Sequence, residues 1–419
     1  MTRFEHRNGE LHAEDVPVSR IAEEVGTPCY VYSLAALRDH YRAYEKGFAG
    51  TRHLICYSVK ANSNLAVLRA LANEGSGFDV VSGGELARVI RAGGDPGRTV
   101  FSGVGKRPDE IRAAIEAGIL MFNVESPAEL DRINAVALEL GTRAPVALRI
   151  NPDVDPKTHP YISTGLKTAK FGIPIERALE DYLRARGMEG IEIVGADCHI
   201  GSQLTSSDPF VEAVGRMTHL IDRLDEAGVP IRFLDMGGGL GIVYDDEKPP
   251  SHTEYARALA GALEGRENLT LLIEPGRSIA GNAGILLTEV LYHKGNDEKN
   301  FVVVDAAMND LARPSLYGSF HGVVPVRQGC VEIQADVVGP ICETGDFIAR
   351  DRPVPAAESG DLIAVLSAGA YGFTMASNYN TRPRGAEVLV DGDRYDVVRR
   401  RETVDQLLEL ESVPAGLER

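Results

Sequence analysis

The fold is decided by the stretch LICYSVK, residues 54–60, in which a short apolar run ends in a lysine. Seven further apolar runs follow before residue 280, and amphipathic segments with helical spacing separate them. Eight repeats of strand and helix predict a (β/α)8 barrel of the TIM type, with a doubly wound open sheet as the structural alternative. The runs that we predict as strands are 53–59, 77–81, 99–102, 120–124, 145–150, 191–198, 231–236 and 270–274. The helical segments include 83–92, 107–117, 126–140, 208–227 and 252–264.

Beyond residue 282 the sequence consists of short apolar runs separated by Gly, Asp and Pro, which indicates a second, mainly antiparallel β domain. A chain of 419 residues exceeds the size at which one core usually stops growing. We therefore predict an α/β protein in which residues 31–281 form the barrel, and residues 1–30 and 282–419 form the β domain. The first 30 or so residues, including the segment 29–32, either pair with that domain or lead into the barrel. The apolar runs of the β domain include 301–304, 322–326, 331–335, 362–366 and 387–390.

The composition limits the possible partners. The net charge of −17 leaves no basic surface for nucleic acid or an anionic membrane. No apolar run approaches the roughly 20 residues of a membrane span, and the first residues lack an apolar signal region. Five cysteines stand without paired spacing, and no HExxH or CxxC pattern indicates zinc. We therefore expect a cytoplasmic protein with no metal, no nucleic-acid partner and no membrane partner.

Every predicted barrel strand ends in polar or glycine residues. In this fold the active site is built at the C-terminal ends of the strands, so these residues predict one site at the mouth of the barrel. They are Lys60, Asp79 with Ser82, Ser102-Gly103, Asn123 with Glu125, Arg149-Ile150-Asn151, His199, Gly237-Gly238-Gly239 and Glu274.

Lys60 follows a buried strand, where it is badly placed for a salt bridge. Desolvation disfavours an ammonium group and lowers the pKa of a lysine from about 10.4, and the neutral amine then condenses with a carbonyl. Taken alone, Lys60 is better explained as a rim lysine whose ammonium group reaches water. The motifs around it favour the chemical role.

Two further motifs suit a phosphorylated aromatic ligand. The stretch DMGGGLG, residues 235–241, runs from a strand into a glycine loop, whose backbone N–H groups can bind a phosphate; a tight βα turn is the alternative. His199 lies in DCHIGSQ, residues 197–203, and suits stacking on a flat ring while Ser202 donates to the phosphate. A structural histidine is the alternative there.

The stretch EPGR, residues 274–277, closes the last strand. Glu274 can hold a proton on a heterocyclic nitrogen, and Arg277 offers two parallel hydrogen bonds to a substrate carboxylate; an ion pair between the two is the alternative. An amine for an aldehyde, a glycine loop for a phosphate and a carboxylate for a ring nitrogen together indicate pyridoxal 5'-phosphate. With its ring nitrogen protonated, this cofactor is a strong electron sink.

Nearly the whole chain resembles the diaminopimelate decarboxylase family, within the alanine-racemase-like (fold type III) pyridoxal-phosphate enzymes. The resemblance rests on the order of its motifs, each of which is weak alone. They are YSVKAN (57–62), FDVVSGGEL (78–86), CHIGSQ (198–203), GGGLG (237–241), EPGR (274–277), CETGD (342–346) and GAYG (369–372).

The resemblance implies a role for each site residue. Lys60 would bind the cofactor covalently, and Cys342 would return a proton to Cα after decarboxylation; without its neighbours, Cys342 would be taken for a small buried hydrophobe. Cys342 and Glu343 would come from the other subunit, which implies an obligate homodimer with two shared sites. The cofactor-binding residues would be Lys60, Asp79, His199, Ser202, Gly238, Gly239, Glu274, Gly276, Arg277 and Tyr371. The substrate-binding residues would be Arg277, Arg313, Tyr317, Glu343 and Tyr371.

The implied reaction is the decarboxylation of meso-2,6-diaminoheptanedioate (meso-diaminopimelate) to L-lysine and CO2, the last step of lysine biosynthesis. The substrate has a second amino-acid end, for which Arg277, Arg313 and Glu343 supply the charges. A decarboxylase of ornithine, arginine or another basic amino acid is the runner-up, but its substrate lacks the distal carboxylate. A racemase is less well supported, because alanine-type racemases place Arg rather than Glu at the pyridine nitrogen. A non-catalytic homologue that binds partner proteins would have lost Lys60 or Cys342, and a cofactor-free lysine aldolase leaves the glycine loop and His199 unexplained.

The stretch 151–172 shows no helical or strand period, and it contains HPYISTG at residues 159–165. A loop of this length inside a compact domain usually has a function. We expect it to be a lid that closes on the substrate and excludes water.

Overall fold

The computed structural model describes residues 3–154 and 170–417. The chain divides into two compact units: one contains Leu37–Ala280, and the other combines Met1–Ala36 with Gly281–Arg419. Most of the predicted lid, residues 155–169, lies outside the described residues, so that expectation stays a prediction.

The first unit is a closed parallel barrel. In the order of pairing, its eight main strands lie at residues 144–151, 191–197, 233–235, 270–273, 53–58, 77–80, 99–101 and 121–124, and the last of these pairs again with the first. The chain begins, in the other unit, with β1 (Phe4–Arg7), β2 (Glu10–Ala13), β3 (Val16–Pro17), α1 (Val18–Val25) and β4 (Cys29–Ser33). The barrel strands are β5 (His53–Ser58), β6 (Gly77–Val80), β7 (Thr99–Phe101), β8 (Met121–Val124), β9 (Ala144–Asn151), the short β10 (Ile173–Pro174) beside β9, β11 (Ile191–Asp197), β12 (Phe233–Asp235) and β13 (Thr270–Ile273). The predicted (β/α)8 fold is confirmed.

Helices connect the strands, and their ends follow the local sequence. Ser82 and Ser126 are the N-cap residues of the helices α4 (Gly83–Ala92) and α6 (Pro127–Glu139), and their side chains accept hydrogen bonds from the backbone N–H three residues later. Gly93 ends α4 in the left-handed conformation that glycine adopts without strain. None of the described helices is long and apolar enough to cross a membrane. The helices are α2 (Leu34–Gly47), α3 (Leu65–Asn73), α4 (Gly83–Ala92), α5 (Pro108–Ala117), α6 (Pro127–Glu139), α7 (Ala178–Arg186), α8 (Asp208–Glu226), α9 (His252–Ala262) and α10 (Arg277–Ala280).

The barrel interior is apolar below the mouth. Side chains from the strands form one buried cluster there, and apolar packing of this kind fills a barrel of eight strands. Polar side chains therefore occur inside the barrel chiefly where the strands end, and this places the candidate site. The cluster consists of Leu54, Cys56, Val100, Met121, Ala147, Val194 and Leu272.

The second unit is built on a nine-stranded sheet with β4 in its interior. β4 pairs antiparallel with β14 and parallel with β20, while β1 to β3 form a small sheet of their own. The predicted mainly antiparallel domain is confirmed, and the segment 29–32 pairs with it. Its further elements are β14 (Gly284–Gly295), β15 (Asn300–Val304), α11 (Arg313–Tyr317), β16 (Val323–Pro325), β17 (Glu332–Val338), β18 (Phe347–Pro355), β19 (Leu362–Val365), β20 (Ala386–Asp391), β21 (Arg394–Arg399) and α12 (Val404–Leu408).

Candidate active site

Lys60 lies at the mouth of the barrel, in a 3-10 turn that directly follows β5. Its Nζ donates a hydrogen bond of 2.7 Å to Oδ2 of Asp79, at the end of the neighbouring strand β6. The lysine side chain is 41% exposed, whereas that of Asp79 is fully buried. A buried carboxylate thus fixes the amine from inside the barrel, and the amine remains accessible from the mouth.

Asp79 is a charged carboxylate in spite of its burial. The register of β5 and β6 sets Ser58 beside it, and Ser58 Oγ donates to the same oxygen at 2.6 Å. Burial by itself would raise the pKa of Asp79, but the Lys60 ammonium and these hydrogen bonds outweigh it and hold that pKa below its ordinary value. The anion therefore persists where the amine needs a fixed partner.

Glu274 follows β13 and is buried on the inner side of the mouth. Its Oε1 accepts hydrogen bonds from Ser102 Oγ and Asn123 Nδ2, both at 3.2 Å. All hydrogen bonds that the described residues give to this carboxyl group end on Oε1, which leaves Oε2 for a partner outside them. Burial, and then the nearby Asp235 and Asp79, raise the pKa of Glu274 well above its ordinary value.

The inner side of the barrel mouth, called the inner mouth below, holds more acidic than basic groups. Its buried polar residues are Asp79, Ser102, Asn123, Glu125, Arg149, Asp197, Asp235 and Glu274. The register sets Asp197 beside Asp235, where burial raises both pKa values, that of Asp235 to about 7. The buried Arg149 donates to Glu125 Oε1 at 2.6 Å, and its Nε lies 4.0 Å from Asp197 Oδ2. A cation placed among these carboxyl groups would be stabilised.

The loop after β12 has no room for side chains. A Cβ atom on Gly238 would lie 2.3 Å from the backbone oxygen of Glu274, and one on Gly239 would lie 2.4 Å from that of Gly201. Gly239 also has a φ of +123°, which favours glycine. Leu204 N donates to Gly239 O at 3.0 Å, so the loops after β11 and β12 are bonded to each other. Together they form a backbone cradle of the kind that binds phosphate.

His199 and Ser202 lie in the loop after β11. Loss of hydration and then the Arg149 cation lower the pKa of His199 to about 3, so its imidazole ring is neutral. Arg277 Nη2 donates to Ser202 Oγ at 3.2 Å, and Arg277 Nη1 donates to Tyr244 OH at 2.6 Å. A neutral flat ring, a hydroxyl group and a guanidinium group therefore lie beside the glycine loop.

Two helices brace the segment that follows Arg277. His252 Nε2, from α9, lies 2.8 Å from the carbonyl oxygen of Ser278, and His40 Nδ1, from α2, lies 2.8 Å from that of Ile279. The two imidazole rings stack with their centroids 5.1 Å apart. Burial, and then His40, lower the pKa of His252 to about 4, so this contact is made by a neutral ring.

In the β unit, the short helix α11 carries Arg313 and Tyr317 at its two ends. Arg313 is buried, its Nη2 donates to Ser319 Oγ at 3.1 Å, and its guanidinium carbon lies 6.0 Å from the centre of the Tyr371 ring. Tyr371 has a φ of +57°, which is uncommon for a residue with a side chain and occurs often at functional sites. Tyr317 is exposed.

Cys342 and Glu343 are exposed on the β unit. The turn at residues 379–381 supports both: Cys342 N donates to Asn380 Oδ1 at 2.9 Å, and Tyr379 OH donates to Glu343 Oε2 at 3.0 Å. The thiol and the carboxylate are adjacent in sequence and are held by one neighbouring turn.

Sequence reasoning gave no role to several polar residues that meet in the inner mouth. Ser102, Asn123 and Arg149 were recognised only as strand ends, and Asp197 and Asp235 only as neighbours of motifs. The signal that could have found them is a polar residue at the last inward-facing position of a barrel strand.

Comparison with known proteins identifies the family. The family model "Pyridoxal-dependent decarboxylase, pyridoxal binding domain" matches residues 34–281. The diaminopimelate decarboxylase of Pseudomonas aeruginosa is 58% identical over 414 residues, which cover 99% of each chain. The chain belongs to the diaminopimelate decarboxylase family. The family's enzyme from Vibrio cholerae is 56% identical over 97% of each chain. The crystal structure of the diaminopimelate decarboxylase from Helicobacter pylori complexed with L-lysine has a TM-score of 0.90 and 44% identity, covering 94% of this chain and 98% of that one.

The cofactor of a diaminopimelate decarboxylase is pyridoxal 5'-phosphate, and the barrel mouth fits it. Lys60 supplies an accessible amine, and the backbone cradle at Gly238 and Gly239 suits the phosphate. The excess of buried carboxyl groups suits a protonated ring nitrogen. Glu274 Oε2 accepts no hydrogen bond from the described residues, so it can accept one from that nitrogen. The neutral ring of His199 suits stacking.

Proposed function

We propose that the protein decarboxylates meso-2,6-diaminoheptanedioate to L-lysine and CO2, the last step of lysine biosynthesis. The observation that carries the proposal is the Lys60 amine, held 2.7 Å from the buried Asp79 at the barrel mouth that also contains Glu274. The near-full-length similarity to curated diaminopimelate decarboxylases supports the choice of substrate.

Each residue of the barrel mouth would have a separate role in binding the cofactor. When bound, pyridoxal phosphate withdraws electrons from the substrate's Cα, so that CO2 can leave. Lys60 Nζ is the amine that holds the cofactor, and Asp79 fixes that amine and balances its charge. Glu274 keeps a proton on the ring nitrogen. Ser202 and the backbone of Gly239 bind the phosphate.

The far end of the substrate carries a carboxylate and an ammonium group. Arg277 and Arg313 would bind the carboxylate, because a guanidinium group forms two parallel hydrogen bonds with it. Glu343 would bind the ammonium group, and Tyr317 and Tyr371 would line this region. Ornithine and arginine lack the distal carboxylate, so these guanidinium groups favour the dicarboxylic substrate over the runner-up.

Cys342 would return the proton to Cα after CO2 has left. Its thiol and the neighbouring Glu343 are exposed on the β unit, which suits residues that complete the site of a second subunit. We therefore propose a homodimer with two shared active sites. The five cysteines are free, which supports location in a reducing cytoplasm.

A substrate panel tests this function. Purified protein loaded with pyridoxal phosphate is incubated with meso-diaminopimelate, lysine, ornithine and arginine, and released CO2 is measured. A Lys60→Ala sample under the same conditions gives the background. We expect kcat/KM for meso-diaminopimelate to exceed that for the others by about 100-fold or more, because a site that forms charge-assisted hydrogen bonds with the distal carboxylate discriminates against substrates that lack it. Equal or faster release of CO2 from ornithine or lysine contradicts the proposal.

A further inference from the structure

Asn123 is a buried amide at the end of β8 that contacts three polar groups of the inner mouth. Its Nδ2 lies 3.2 Å from Glu274 Oε1, 3.2 Å from Asp235 Oδ2 and 3.2 Å from Ser102 Oγ. The side chain is fully buried. An amide nitrogen carries two hydrogen atoms, so it can bond to both carboxyl groups at once.

The orientation of this amide suits its neighbours. Nδ2 faces three groups that can accept a hydrogen bond, and it gives each of the two carboxyl groups the donor that the group needs whenever it is ionised. Asp235 is itself fixed, because its Oδ1 accepts a hydrogen bond of 2.9 Å from Gly237 N. The hydrogen bond to the fixed Asp235 carboxyl group therefore holds Asn123 Nδ2 in place, and the same nitrogen donates to Glu274 Oε1.

The backbone of Asn123 is fixed as well. Lys106, whose side chain is only 1% exposed, donates to Asn123 O at 2.7 Å, to Gly103 O at 2.9 Å and to Glu129 Oε1 at 2.7 Å. A buried lysine is costly unless its donors are satisfied, and here three acceptors satisfy them. Lys106 thus ties the ends of β7 and β8, the two strand ends that present Ser102 and Asn123 to Glu274.

We propose that Asn123 is a positioning residue of this enzyme, whose amide holds Glu274 by Oε1 and thereby reserves Oε2 for the ring nitrogen of the cofactor. This inference rests on the role of Glu274 in the proposed function. Asn123 is suited to the task because an amide donates to a carboxylate without carrying charge or titrating. Without it, Glu274 loses one of its two donors, its pKa rises, and the proton moves from the ring nitrogen to the carboxyl group.

Two variants and a matched control test the role. Asn123→Ala removes the amide, and Asn123→Leu replaces it with an apolar side chain that has the same branching, so that one of the two remains informative if the other folds poorly. The control is Asn134→Ala, which removes an amide that accepts a hydrogen bond from Gly190 N at the opposite end of the barrel. Each protein is loaded with cofactor labelled with 15N in the ring, and its ring 15N chemical shift, kcat and KM are measured.

We expect both Asn123 variants to move the ring 15N shift towards the unprotonated value. The kcat should fall roughly 10- to 100-fold, the effect of one lost hydrogen bond to a charged group, with KM little changed. The control should keep the wild-type shift. Asn123 variants that retain the wild-type shift overturn the inference, whatever their activity. If wild-type protein releases no CO2 from meso-diaminopimelate while the shifts still differ, the proposed substrate is wrong and the role of Asn123 stands.

Discussion

Lys60 Nζ and Asp79 Oδ2 lie 2.7 Å apart, and the two side chains differ sharply in exposure, at 41% and 0%. A buried carboxylate fixes the nitrogen without covering it. The amine can therefore react from the side of the mouth while its position is set from within the barrel.

The first prediction concerns the covalent attachment of the cofactor to Lys60. Borohydride reduction of wild-type protein followed by peptide mapping should find the pyridoxyl group on the peptide that contains Lys60. Lys60→Arg keeps the positive charge beside Asp79 but cannot condense with an aldehyde, so it should show no adduct and lose activity by roughly three orders of magnitude or more. An adduct on another lysine of the wild-type protein would refute the assignment.

The second prediction concerns the shared site. Lys60→Ala and Cys342→Ala should each be inactive alone, since one lacks the cofactor amine and the other the proton donor. Mixed subunits should regain up to about a quarter of the wild-type activity, because half of the dimers are hybrids and each hybrid has one intact site. Mixed subunits that form proven hybrid dimers without regaining activity would argue against a site built from two subunits.

The third prediction concerns the glycine loop. Gly238→Ala should lower the free energy of unfolding by about 1–3 kcal/mol and weaken cofactor binding, because the new Cβ would lie 2.3 Å from a backbone oxygen. Gly261→Ala is the matched control: it lies inside α9 with open space around it, and should stabilise the protein by roughly 0.5–1 kcal/mol. Urea unfolding and cofactor titration measure both effects. Normal cofactor affinity in Gly238→Ala would contradict the close packing.

The fourth prediction concerns acid stability and His252. Its pKa is lowered to about 4 in the folded protein, against an ordinary value of 6.5, so the unfolded chain binds a proton that the folded one does not. The contribution of His252 to stability should therefore be constant above pH 6.5 and fall, by at most roughly 3 kcal/mol, between pH 6.5 and pH 4, while buried carboxyl groups with raised pKa values, such as Asp235, contribute in the opposite direction. His252→Gln keeps a donor for Ser278 O but does not titrate. When the pH is lowered from 7.5 to 4.5, the free energy of unfolding in urea should fall less for this variant than for wild type. An equal fall in both proteins would exclude His252 as the cause.

The barrel could be predicted from sequence because its buried strands are short apolar runs, whereas the apolar residues of its helices recur with helical spacing. The β domain was harder. The strands β18 and β21 lie at the two edges of its sheet and were not predicted. Edge strands tolerate charged residues and proline, and β18 contains Arg350, Asp351, Pro353 and Pro355, which obscure the apolar alternation. The strand β14 was also not predicted; its first half pairs with β4 and β19, which lie far from it in sequence.

The candidate site shows the same division. Lys60, Glu274 and the glycine loop could be found because each belongs to a motif that is continuous in sequence. Asn123 could not, because its significance lies in reaching Glu274 and Asp235 across the barrel interior, over sequence separations of 151 and 112 residues. Such a contact depends on the closure of the sheet, which no single stretch of sequence specifies.

The interior position of β4 has a consequence for biosynthesis. The residues that flank it in the sheet, in β14 and β20, are translated after the whole barrel, about 250 residues or more later. At ribosomal speeds of 5–20 residues per second, this segment waits roughly 10–50 seconds for its first neighbour. During that interval the backbone amides and carbonyls of β4 have no native partner in the sheet. The nascent chain therefore exposes a segment that chaperones can bind, on the N-terminal side of a barrel that has already been translated.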